Sequence, residues 1–164
     1  MPAPRVFISY SHDSKEHKEW TNQLAADLRK NGIDVTLDQW DLSLGQDISL
    51  FMQNGIANSD KVLLICTENY VRKSEVGKGG VGFERLIVTA EVVQSIDTNK
   101  FIPIIVGQVG EPKVPKFLGP RLYSDFRDPA ARFEKLEERE KGALSRCRKA
   151  GLGTDWPHRF RYKP

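Results

Sequence analysis

The sequence predicts one α/β domain built on a parallel β-sheet with helices on both faces. Three observations predict it. Short apolar runs alternate along the chain with amphipathic segments of helical period, the pattern that strand–helix crossovers leave. The length, 164 residues, suits a single core of ordinary size. The composition, 39% hydrophobic and 29% charged, is that of a folded globular chain rather than a disordered one.

The elements follow in order. Arg5-Val-Phe-Ile-Ser9 is a short buried-strand pattern. Ser11-His-Asp-Ser14 offers helix N-caps, and Trp20, Leu24 and Leu28 then recur at i, i+4 and i+8. Asn31-Gly32 supplies the stop, and residues 33–37 read as a second strand. Asp41-Leu-Ser-Leu-Gly45 is a loop, after which Asp47 caps a helix carrying Ile48, Phe51, Met52 and Ile56. Lys61-Val-Leu-Leu-Ile-Cys66 is the clearest buried strand. Residues 67–82 read as a long irregular stretch before a helix with Phe83, Leu86, Ile87, Ala90 and Val93 on one face. Phe101-Ile-Pro-Ile-Ile-Val106 is a fourth strand, with Pro103 arguing for a place near an edge or a strand start. A Gly/Pro-rich connector over 107–120 leads to a weaker fifth strand over 121–126. Asp128-Pro129 opens a charge-rich helix by the cap-plus-proline rule. Periodicity then fades, giving a domain over 1–145 and a linker or tail over 146–164.

Composition also excludes function classes. The formal charge is only +3, and its basic excess gathers in the tail. No basic stripe with interleaved aromatics suggests a nucleic-acid face. No apolar stretch approaches the ~20 residues of a membrane helix, and Met1-Pro-Ala-Pro-Arg5 lacks the apolar centre of a signal peptide. The two cysteines, Cys66 and Cys147, form no disulfide framework, which fits a reducing cytoplasm. His12, His17 and His158 do not cluster with cysteines at metal spacing, so no metal site is expected.

A parallel sheet binds ligands at the carboxyl ends of its strands, where the strand order reverses. With the order 2-1-3-4-5 that crevice lies between strands one and three, walled by residues 9–13 and 67–84. Glu84 opens a helix there, whereas Glu91 stands about 10 Å further along the same helix. A helix N-terminus favours the ionised form of Glu84. Two readings stand: the carboxylate complements the helix dipole, or it stabilises a developing cation such as an oxocarbenium. Gly77-Lys-Gly-Gly-Val-Gly82 matches G-x-G-x-x-G but does not follow the first strand, and Phe83 stands where a Walker loop has lysine. It reads as a lead-in to the helix, or as a lip whose amides approach a diphosphate. The receiver-type acidic pair after strand one is missing, and no G-x-S-x-G elbow is present.

Taken together the motifs resemble a family. Arg5-Val-Phe-Ile-Ser-Tyr-Ser11 is similar to the opening of TIR (Toll/interleukin-1 receptor) domains, and Asp38-Gln-Trp-Asp-Leu-Ser-Leu-Gly45 to their BB loop, above all in the bacterial, SEFIR-like branch. Ser59-Asp-Lys-Val-Leu-Leu-Ile-Cys-Thr-Glu-Asn-Tyr70 resembles their third strand and its exit, and Gly80-Val-Gly-Phe-Glu84 the segment bearing the catalytic glutamate. The resemblance runs in order over about residues 4 to 142.

It implies a flavodoxin-like fold and, for many bacterial members, cleavage of the nicotinamide–ribose bond of NAD+. Glu84 would then be the catalytic carboxylate, with NAD+ as substrate and no cofactor. Ser9, Tyr10, Ser11 and His12 would shape the adenine-ribose and diphosphate side. Asp38, Trp40 and Gly45 would belong to the strand-two exit and to the BB loop, residues 41–49, which gates the site or meets a neighbouring domain. The motif of many TIR enzymes, a tryptophan, three residues and then the glutamate, is absent, with Gly80 standing four before Glu84, so the aromatic platform falls to Phe83, Tyr70 or Trp40. The resemblance further implies a bacterial anti-phage effector activated by self-association, with a fused or separate sensor module or as a free-standing domain. Linear and cyclic ADP-ribose products both stay open, and so does a scaffold that works by TIR–TIR contact alone.

Overall fold

The computed structural model describes residues 3–76, 88, 100–111, 113–120 and 123–127. Five strands form one sheet: β1 (Arg5–Ser9), β2 (Asp34–Thr36), β3 (Lys61–Cys66), β4 (Phe101–Ile105) and β5 (Ser124–Asp125). All neighbours are parallel, and the order is β2-β1-β3-β4-β5, the flavodoxin-like arrangement.

Strand pleating divides the core. Val6, Ile8, Val35, Leu63, Ile65 and Ile104 face one side and pack on Leu24, Ala25 and Leu28 of helix α1 (Lys15–Lys30). Phe7, Val62, Leu64, Phe101 and Ile105 face the other and meet Phe51, Met52 and Ile56 of helix α3 (Ile48–Asn58) and Tyr70 and Val71 of helix α4 (Glu68–Val76). Successive side chains on a strand point to opposite faces, so runs apolar at every position are the sign of a sheet covered on both sides.

Local chemistry sets the helix ends. The Ser14 hydroxyl accepts from the His17 amide at 3.1 Å, and Asp47 Oδ1 accepts from Ser49 and Leu50. α1 closes in a Schellman turn: Gly32 takes a φ of 81°, its N–H bonds Arg29 and that of Ile33 bonds Leu28. A short helix α2 (Asp38–Asp41) precedes the BB loop, its start held by Asp41 reaching back to the Leu37 amide at 2.8 Å.

Two expectations change. Residues 67–82 are not irregular throughout, because α4 occupies Glu68–Val76. Its cap is Thr67, whose Oγ1 accepts from the Tyr70 amide at 3.0 Å; only Tyr70, Val71 and Ser74 are buried, a stripe too thin to announce a helix. β5 is also shorter than expected and pairs β4 only at Ile104 and Ile105, so Pro103 lies ahead of that pairing and costs it no hydrogen bond. The helices expected over 83–93 and from Asp128, and the tail, fall outside the described residues apart from Val88. Among the described residues no helix is long and apolar enough to cross a membrane.

Candidate functional site at the carboxyl edge of β1 and β3

β1 has β2 on one side and β3 on the other, so the strand order reverses between β1 and β3. Loops leaving adjacent strand ends in opposite directions open a crevice there. Three side-chain groups line this edge.

The first is a seam joining the β1 and β3 exits. Thr67 Oγ1 donates to Asp13 Oδ2 at 2.6 Å, and Asn69 Nδ2 donates to Asp13 Oδ1 at 2.6 Å. The Ser11 hydroxyl lies 3.2 Å from Thr67 Oγ1. Thr67 thus serves as helix cap and as strap across the switch point, with Asp13 held by two donors at once. Charge-assisted bonds of this length are the strong kind.

The second group turns toward β2. His12 Nε2 lies 2.9 Å from Asp38 Oδ2, with both side chains largely buried. Gln39 Nε2 donates to the Tyr10 hydroxyl at 2.8 Å and to the Lys18 carbonyl at 3.0 Å. The rings of Tyr10 and His12 stand 4.9 Å apart. Burial, with the Asp38 carboxylate beside it, pushes the Tyr10 hydroxyl well above the ordinary phenol range. This phenol therefore stays protonated at neutral pH. Burial likewise holds the His17 imidazole below its usual value, opposed by Asp13 and reinforced by His12.

The third group links β1, α4 and the chain beyond Glu84. Tyr70 is fully buried, and its hydroxyl lies 2.8 Å from Ser9 Oγ. The same oxygen accepts from the Val88 amide at 3.2 Å. Burial raises this phenol too, and the thiol of Cys66 is pushed up to about 12.

The residues singled out from sequence thus separate. Ser9, Tyr10 and Ser11 are at the crevice but buried, and His12 pairs with Asp38 on the β2 side. Tyr70 is core, so its ring offers no open face. Trp40 is half-buried with the Arg29 guanidinium 4.2 Å above its ring centre. Gly45 takes a φ of 83° at the tip of the BB loop, beside the fully exposed Leu44. Glu84 and Phe83 lie outside the described residues. Among the described residues no three His, Cys, Asp or Glu side chains gather as a metal site.

Sequence reasoning did not single out Asp13, Thr67, Asn69 or Gln108. The Gln108 amide donates to the Cys66 carbonyl at 2.6 Å and to the Lys113 carbonyl at 2.7 Å, tying the β4 exit to the end of β3. The one legible signal was Thr67 ahead of Glu68, a cap-like pair just after a strand.

Comparison with known proteins agrees with this fold. A prokaryotic SEFIR domain of known structure is 38% identical, with a TM-score of 0.69 over 85% of this chain and 96% of that one. The TIR domain of the Toll-related receptor TRR-2 from Hydra magnipapillata is 20% identical, with a TM-score of 0.54 over 84% and 98% of the two chains, a likeness of fold. Among characterised sequences, the NAD(+) hydrolase TcpA of Theionarchaea archaeon (strain DG-70-1) is 31% identical over 68 residues, 42% of this chain. The match spans only 20% of that protein's length. The sequence pattern of TIR domains matches residues 6–139, from β1 to beyond β5. The chain belongs to the TIR domain family.

Proposed function

We propose that this domain is an NAD+ glycohydrolase with Glu84 as its catalytic carboxylate. The observation that supports it most is the bond from the Val88 amide to the Tyr70 hydroxyl, which itself meets Ser9 at the end of β1. Glu84 stands four residues before Val88, a reach of at most ~14 Å along extended chain. On this reading the carboxylate acts at the β1–β3 switch point. The resemblance of a segment to a named NAD(+) hydrolase adds to this reading.

In the reaction the bond between ribose C1′ and the pyridinium nitrogen breaks, and its electron pair leaves with neutral nicotinamide. Glu84 stabilises the oxocarbenium electrostatically. Water adds to C1′ and releases a proton, giving ADP-ribose; capture by a nucleophile within the same molecule gives a cyclic isomer. The substrate's own positive charge activates the leaving group, so this role needs no resident cofactor. Ser11, His12 and Asp38 are offered as the groups that shape the remainder of the pocket, with Phe83 and Trp40 as candidate aromatic neighbours. In the cell this is an effector in the manner of bacterial anti-phage defence, active on self-association through the BB loop.

A second reading has its own support. Leu44, fully exposed at the loop tip, suits docking onto another domain, and a SEFIR domain is a near structural relative. On that reading the chain is a scaffold with no turnover. The two separate in one experiment: NAD+ incubated with concentrated protein, nicotinamide followed by chromatography, and Glu84→Gln compared with Glu91→Gln. Turnover lost in Glu84→Gln alone supports the enzyme. Loss in Glu91→Gln alone overturns the site, and no wild-type turnover at any concentration favours the scaffold.

A further inference from the structure

We infer that Tyr70 is a positioning residue, whose hydroxyl anchors the segment carrying Glu84 to the end of β1. This rests on the glycohydrolase reading above. Three features of the fold carry it. Tyr70 sits at the third position of α4, and its own amide is held by Thr67 Oγ1, so the ring enters the core from a fixed point. Its hydroxyl reaches Ser9, 61 residues away in sequence, and Val88, 18 residues away. Val88 is itself fully buried, so its amide has no water to turn to.

A phenol has one proton to give and lone pairs to receive with. Since the Val88 N–H can only donate, the Tyr70 oxygen accepts there, while in the Tyr70–Ser9 pair either hydroxyl can be the donor. The relay joins β1, α4 and the backbone four residues past Glu84 through one atom. Burial keeps the phenol protonated at working pH, so the group takes no part as a base. Phenylalanine would fill the same volume yet take away the oxygen that accepts the Val88 N–H in the core. The hydroxyl therefore acts on geometry, and its influence passes to the reaction only through the backbone that leads to Glu84.

The test compares wild type with Tyr70→Phe, using nicotinamide release under assembling conditions and amide hydrogen exchange without NAD+. The expected result is a kcat lowered by about tenfold to a hundredfold, the range a small misplacement of a catalytic group produces, with KM changed far less. Exchange at Val88 should rise while that of α1 and α3 is unchanged. A role in stability alone would lower the melting temperature and leave kcat per folded molecule as it was; that outcome overturns the inference. Should Tyr70→Phe fail to fold, the wild-type protein still decides: a Val88 amide exchanging at the rate of an unstructured peptide overturns the anchor. Absence of wild-type turnover with a protected Val88 amide overturns the glycohydrolase reading instead.

Discussion

Gly55 of α3 lies directly against Phe7 of β1, and replacing it tests the packing of that helix on the sheet. A Cβ built there would stand 2.3 Å from Phe7 Cε2 and 2.4 Å from Cδ2. Carbon pairs are most stable at about 3.5–4.0 Å, so ring and helix must separate by more than an ångström. Phe7 has nowhere to go: it is buried, lies on β1 between β2 and β3, and packs against Phe51 at 5.9 Å. Overpacking of this kind costs about 1–3 kcal/mol, whereas alanine gains about 1 kcal/mol over glycine inside a helix. A contact at 2.3 Å belongs in the upper half of that range, so overpacking wins and Gly55→Ala is expected to destabilise the domain by about 1–2 kcal/mol net. For a domain of this size that lowers the melting temperature by about 2–8 °C. Urea unfolding followed by far-ultraviolet circular dichroism should show an earlier midpoint with unchanged slope, and Phe7→Leu in the Gly55→Ala background should recover part of the loss. A Gly55→Ala protein as stable as wild type, or more so, would refute the close approach of α3 to β1.

Two further predictions concern the carboxyl edge. Thr67→Val keeps the side-chain shape but removes the hydroxyl that donates to Asp13 and caps the Tyr70 amide; it should cost about 1–3 kcal/mol in urea unfolding, and Thr67→Ser should retain most of the stability. For His17, burial holds the folded-state pKa below the ordinary value. The unfolded chain therefore takes up its proton first as the pH falls. Stability is full above ~6.5 and declines as the pH drops through the window between that value and the lower folded one. His17→Gln should flatten the fall in melting temperature over this window, measured in parallel with wild type; an equally steep fall would assign the pH dependence to other groups.

Much of the fold was legible because it is written in local periodicity. β1 and β3 have the bounds read from their apolar runs, and α1 and α3 begin at the caps Ser14 and Asp47 that their sequences offer. α4 escaped because a nine-residue helix with only Tyr70, Val71 and Ser74 buried looks polar from end to end. α2 escaped because it is one turn held by Asp41, with no apolar repeat. The site was less legible. His12 and Asp38 were named, but nothing local indicates that they face each other at 2.9 Å. Asp13 and Thr67, 54 residues apart, become partners only once β1 and β3 lie side by side.

By itself, then, the sequence determined the class of fold and the family. Those follow from hydrophobic period, caps and ordered motifs, all properties of neighbouring residues. The tertiary structure alone decided that Tyr70 is a buried residue bonded to Ser9 and Val88 with no open ring face, that His12 turns toward Asp38, and that Asp13 straps the β1 and β3 exits together. Each of these depends on strand register and on which side of the sheet a helix covers. Register is set by the packing of the whole core, and a one-residue slip would send every such side chain to the opposite face.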